Sequence, residues 1–138
     1  MRKRRLLVLL CCCLLFTMAL IQPVSASSEL WNFNFSLVSK NPFPNPIPRN
    51  SAVKAKLSLC VVDKDFNFHP ATIRTRVTND RGQQVYTKTE LHDSSPEFIM
   101  EVFDTTNIAR GNYFIQVRAE TSFGNTSSWL TLRQCRVY

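Results

Sequence analysis

Histidine and glycine are scarce in this 138-residue chain, with two and three copies. No Gly-x-Ser-x-Gly nucleophile elbow is present. His92, Asp93 and Ser94 are sequence neighbours, which is not the geometry of base, acid and nucleophile in a hydrolase. No enzymatic function is expected. No 3.6-residue apolar periodicity runs for any length, which argues against a helical architecture. No internal repeat is visible. The longest apolar run, Leu6 to Ile21, has 16 residues, short of the ~20 that a spanning helix needs. The chain ends RQCRVY, so neither a lipid-anchor signal nor a C-terminal membrane span is expected.

The amino terminus does carry a recognisable pattern. Arg2, Lys3, Arg4 and Arg5 precede the apolar run, Pro23 breaks it, and Val24-Ser25-Ala26 follows. This is the pattern of a secretory signal peptide over residues 1–26, cut after Ala26. The expected product is secreted, or periplasmic if the source is a Gram-negative bacterium. No stable membrane insertion is expected after cleavage. The mature chain would carry 13 Lys and Arg against 10 Asp and Glu, a charge of +3 rather than +7. Nucleic acid is therefore not an expected partner. Three of the five cysteines leave with the signal, and Cys60 and Cys135 remain. In an oxidising compartment two remaining cysteines form one bridge. Simple alternation of strand direction would nevertheless put this pair near opposite ends, so a bridge requires an irregular layout.

Period-2 alternation dominates the rest and predicts seven strands. They cover residues 29–38, 52–62, 72–78, 83–91, 97–103, 112–120 and 127–137. In the first, Trp31, Phe33 and Phe35 alternate with polar residues. In the second, Val53, Ala55, Leu57, Leu59 and Val61 share one face. NDRG at 79–82 reads as a hairpin turn, with its glycine late for a two-residue loop. NPFPNPIPR at 41–49 has alternate prolines, which cannot pair in a sheet. It reads as a stiff crossover between sheets. Residues 27–51 thus hold the first strand and this crossover, and 52–138 the remainder of one domain. Seven short strands joined by polar turns predict an all-β, seven-stranded antiparallel sandwich. A small closed barrel is the alternative.

One stretch adds a resemblance. Tyr113, Val117, Ala119 and Gly124 stand in the pattern Y-x-x-x-V-x-A-x-x-x-x-G. This resembles the sixth strand and following turn of immunoglobulin-like and fibronectin type III-like modules, over about residues 105–132. The resemblance implies that Tyr113 packs inward with its hydroxyl reaching back to the preceding turn, and that Gly124 takes a positive φ. Val61 stands where such modules often carry a buried tryptophan, so the wider superfamily is implied rather than fibronectin type III proper.

The site candidates lie in loops. Asp63, Asp65 and Asn67 copy the opening of a calcium loop, but Phe68 and Arg74 stand where glycine and glutamate are required. No metal and no cofactor are expected there. Alternating strands would gather the loops at 63–70, 92–96 and 121–126 at one end. Phe66, Phe68, His69, His92, Asp93 and Phe123 would then form a recognition surface, as loops do on other sandwiches. Asn34-Phe35-Ser36 and Asn125-Thr126-Ser127 are candidate N-glycosylation sequons at Asn34 and Asn125. Arg74, Arg76, Lys88 and Arg118 fall on polar positions of neighbouring strands, a shallow basic face for an acidic glycan or partner. The expected function is a secreted, non-enzymatic binding or adhesion module for an extracellular protein or glycan. The rivals are a metal-dependent factor or enzyme using the His/Asp loop end, and a self-assembling structural subunit.

Overall fold

A computed structural model describes residues 29–138. The expected signal peptide, 1–26, lies outside the described residues. Seven strands follow in order: β1 (Leu30–Leu37), β2 (Ala52–Asp63), β3 (Ala71–Asn79), β4 (Gln84–His92), β5 (Ser95–Asp104), β6 (Gly111–Thr121) and β7 (Leu130–Val137). They form two sheets, β1-β2-β5 and β4-β3-β6-β7, with every neighbouring pair antiparallel. The sheets stay open, so the architecture is a sandwich and not a barrel. No described helix is long and apolar enough to cross a membrane.

The alternation that predicts the strands also builds the core. Val53, Ala55, Leu57, Leu59 and Val61 of β2 are buried on one face. Ile73, Thr75 and Val77 of β3 and Tyr113, Ile115, Val117 and Ala119 of β6 oppose them from the second sheet. Each large side chain moved from water to this interior contributes roughly 1.5–3 kcal/mol. Bulges break the parity where the alternation fails. Between Ile115 and Gln116 the β6–β7 register slips, so both Leu132 and Cys135 turn inward. At the start of β1 a slip between Leu30 and Asn32 turns Trp31 out of the core. Trp31 therefore does not share the inward face of Phe33 and Phe35.

The proline-rich segment takes a different course from the expected one. β1 and β2 pair within the same sheet, so 41–49 does not carry the chain across. It leaves that sheet, runs along the β7 edge of the other and returns. Prolines at 44, 46 and 48 alternate with Asn45, Ile47 and Arg49, which leaves every second N–H free to donate along one side. Ile47 N donates to Arg136 O at 2.7 Å, Arg49 N donates to Tyr138 O at 3.3 Å, and Tyr138 N donates to Ile47 O at 3.1 Å. Phe43 and Ile47 are buried beneath. The segment thus covers the open edge of β7, which would otherwise invite pairing with another chain.

Cys60 and Cys135 are both free thiols, which corrects the expected bridge. Cys60 sits opposite Asn34 on the outer face of β2, near the Asp63 end. Cys135 sits opposite Tyr113, buried in the core near the 104–111 turn. They belong to different sheets, different layers and opposite ends, beyond the reach of a disulfide.

Candidate functional site

Three loops share one plan. In Asp63–Asn67, Asn79–Gln83 and Thr121–Asn125 the first N–H donates to the carbonyl of the fifth residue, at 3.1, 2.9 and 2.9 Å. The fourth N–H donates back to the first carbonyl at 3.0 Å in all three. A side-chain oxygen of the first residue accepts from the fifth N–H: Asp63 from Asn67, Asn79 from Gln83, Thr121 from Asn125. This closure drives the fourth residue into the left-handed region. Gly82 at φ 76° and Gly124 at φ 84° occupy it in two loops. Phe66 occupies it in the third at φ 64°.

Phe66 therefore stands where the same loop plan uses glycine. Its ring is 67 % exposed and leans on Trp31, itself 66 % exposed, with centroids 5.3 Å apart. Phe68, 70 % exposed, borders a shallow groove with Cys60, Ser94 and Pro96. The sandwich thus presents three large aromatics at this end, Trp31 and Phe66 in contact and Phe68 on the side of β5. Trp31 is the member that sequence reasoning missed, because no residue signals the bulge that turns it out.

Beneath the aromatics lies Asp63, which is buried. Oδ1 accepts from the N–H groups of Asp65 and Asn67 at 2.8 and 3.0 Å, and Oδ2 lies 2.7 Å from His69 Nε2. The His69 hydrogen bond, followed by the Asn67 N–H, holds the Asp63 carboxyl well below the usual range. The resemblance to a calcium loop ends here, since both oxygens are spent closing their own turn. The His69 ring meets Phe123 edge-on at 5.0 Å, so the 63–70 and 121–126 loops do come together. Ser94 ties in the third loop: its Oγ accepts from Val61 N at 2.9 Å and donates to His69 O at 2.6 Å. That hydroxyl is held by backbone, not by an imidazole.

His92 does not join this cluster. It stacks on Phe98 at 4.3 Å and hydrogen-bonds Glu90 at 3.0 Å, on the side facing the other sheet. Asp93 is exposed at the turn. Each histidine has its own carboxylate, and among the described residues no three His, Cys, Asp or Glu gather as metal ligands. Lys88 also departs from its expected place. It lies opposite the buried Thr75 and pairs with Glu90 at 2.7 Å and Glu101 at 3.4 Å between the sheets. It is not part of the basic face of Arg74, Arg76 and Arg118. Asn34 and Asn125 are both exposed.

Compared with protein-family models and with curated proteins, the chain matches none. Its function is read from this geometry.

Proposed function

We propose that the protein is a secreted, non-enzymatic binding module of the immunoglobulin-like and fibronectin type III-like class. It recognises an extracellular protein through Trp31, Phe66 and Phe68. The observation that carries this reading is Phe66. A side chain in the left-handed region costs about 1–2 kcal/mol, and a ring left 67 % exposed recovers little of that by burial. Such a residue is retained for contact and not for folding. Aromatic anchors grouped on a polar surface are what protein interfaces use as centres. The class is supported by the strand order and by Tyr113, whose hydroxyl donates to Ala109 O at 2.8 Å in the turn before β6. The exposed Asn34 and Asn125 sequons fit a secretory route in a eukaryotic host.

The test compares capture by the wild type and by Phe66→Gly from the extracellular fluid of the source organism. Glycine relieves the backbone, so Phe66→Gly should melt at or above the wild-type temperature while losing its captured partner. A variant that is equally stable and captures the same protein to the same level would sink this reading.

A further inference from the structure

Around Arg74, Arg76 and Arg118 the outer face of the β4-β3-β6-β7 sheet carries more cations than anions. Residues opposite one another in register share a face. Arg74 lies opposite both Thr89 and Arg118; Arg76 lies opposite Thr87 and Gln116; Gln116 lies opposite Thr131. Trp129, just before β7, stands beside them. The Arg76 guanidinium carbon is 4.0 Å from the Trp129 ring centroid, and that of Arg118 is 4.8 Å from it. Arg76 Nε donates to Gln116 Oε1 at 2.8 Å, and Gln116 Nε2 donates to Thr131 Oγ1 at 3.1 Å. Among the described residues, none of the three guanidiniums forms an ion pair with a carboxylate. Glu120 is exposed on the same face, opposite Thr72, and pairs with none of them. Arg118 Nε is buried and has no hydrogen-bond partner.

Two of these facts oppose folding, the Arg74–Arg118 juxtaposition and the unpartnered Arg118 Nε. Like charges directly across an antiparallel pair repel. A buried charged N–H without an acceptor loses its hydration for nothing. Cation–π contact with Trp129 holds Arg76 and Arg118 in place and offsets part of the cost. What remains is two guanidinium forks held against Trp129 and the exposed Arg74 opposite Arg118, all short of oxyanions. Guanidinium forks match sulfate and carboxylate oxygens in pairs. The surroundings indicate what carries the anion. Gln116 is held between Arg76 and Thr131, and Thr87 Oγ1 donates to Thr75 O at 2.9 Å, but the hydroxyls of Thr89 and Thr131 can still donate and that of Thr87 can still accept, which suits sugar hydroxyls. A protein partner would need an apolar centre instead.

We propose that this face binds a linear sulfated glycan, with a sulfate held between Arg74 and Arg118 and its chain running over Thr87, Thr89 and Gln116. The site is on the opposite sheet from Trp31 and Phe66 and stands independently of the protein contact proposed above.

The probe is a sulfated heparin-derived hexasaccharide, alongside its desulfated form and a polyglutamate peptide. Binding is read by calorimetry and by Trp129 fluorescence in a Trp31→Phe background. The exposed Arg74, which does not touch Trp129, gives a variant that folds: Arg74→Gln should keep the melting temperature and weaken binding about tenfold, the scale of a lost charge-assisted hydrogen bond. Added salt should weaken wild-type binding as well. Lys54→Gln, a charge-matched change on the outer face of the other sheet, should leave it unchanged. The proposal is overturned if the wild type ignores the sulfated probe, or if Arg74→Gln binds as the wild type does. It is overturned equally if Lys54→Gln weakens binding to the same degree, or if the desulfated sugar or polyglutamate binds as tightly.

Discussion

Phe43, Ile47, Thr105 and Tyr113 all go inward at the end of the sandwich where β5 turns into β6; Trp31, Phe66 and Phe68 go outward at the other. At the first end the polar atoms are closed off. Thr105 Oγ1 accepts from Ser51 N at 2.8 Å and lies 3.0 Å from Pro48 O and 3.1 Å from Ser51 O. The Tyr113 hydroxyl meets Ala109 O at 2.8 Å, and the proline-rich segment covers β7. At the second end the backbone is equally well tied, by Asp63, Thr121 and Ser94. Its aromatics are nonetheless left in water. The difference is therefore not one of loop order. One end puts its large side chains into the core, and the other leaves them outside it. An exposed aromatic on a fixed loop loses little conformational freedom on meeting a partner, which is what a contact surface requires.

Two threonines offer the sharpest way to break this comparison. Thr105 and Thr75 are both fully buried, but the Thr75 hydroxyl has no hydrogen-bond partner. Thr105→Val keeps the shape and strands Ser51 N, so it should cost about 2 kcal/mol, within the range for a buried unsatisfied donor. Thr75→Val removes an unsatisfied hydroxyl from the core and should stabilise by up to about 1 kcal/mol. Denaturant melts of both variants check the pair. Equal and small effects would show that the closed end owes nothing to Thr105.

Next in size is Gly124→Ala. The space beside Gly124 is open, so the whole effect comes from its φ of 84° and not from a clash. A loss of about 1 kcal/mol is expected. No measurable loss would undo the view that Phe66, in the equivalent position, is strained.

How far the sequence reveals these ends depends on whether a feature repeats along the chain. Alternation is periodic, so all seven strands and the inward faces of β2, β3 and β6 are visible without coordinates. Bulges are single insertions with no period. That is why Trp31, in step with Phe33 and Phe35 in the sequence, does not join them in the core. The late Gly82 does signal its five-residue loop, because glycine marks the fourth place there and at Gly124. Phe66 hides the third copy, since DKDFN carries no glycine. Parity alone puts Lys88 on the basic face. The polar residues of β4 at Lys88 and Glu90 face inward between the sheets, where edge position lets a charge pair form that a central strand would bury. The Arg76–Trp129–Arg118 stack joins three segments, and no local spacing announces it.

Acid should act on the end that carries Asp63. The Asp63 carboxyl is held low by His69 and by the Asn67 N–H, and Glu90 is held low chiefly by its hydrogen bond from Lys88. Both folded-state values lie below the unfolded ones, so the unfolded chain binds protons first. Their stabilisation is complete above the ordinary carboxylate values, about 3.9 for Asp and 4.3 for Glu. It declines as pH falls through that region toward the depressed folded values. At neutral pH no slope is expected from either group. Urea midpoints measured from pH 7 to pH 2 should be flat and then fall below about pH 4, and Asp63→Asn should flatten the fall. An Asp63→Asn profile as steep as the wild type would remove Asp63 as the organiser of that loop.

The cysteines separate the two ends chemically, and the smallest effect of all is expected at Cys60. Cys60 lies half-buried on the outer face beside Asn32, whose Nδ2 is 3.7 Å from its sulfur. Cys135 is buried under Tyr113, and burial pushes its thiol up to about 11. A thiolate is the reactive form, so a maleimide should label Cys60 in the folded protein and reach Cys135 only after unfolding. With both thiols free, a reducing agent should not shift the melting temperature. An intramolecular bridge over so long a loop would make it fall, since such a cross-link is worth roughly 4–5 kcal/mol in the chain-entropy account. Cys60→Ser should lie within about 0.5 kcal/mol of the wild type, as surface changes do. Cys135→Ser places a hydroxyl in the core and should cost more, about 1–3 kcal/mol. Equal labelling of both thiols in the folded state would show that the end around Tyr113 is not closed. A melting temperature that drops on reduction would require strand ends arranged differently from the regular antiparallel layout, because only then do Cys60 and Cys135 meet.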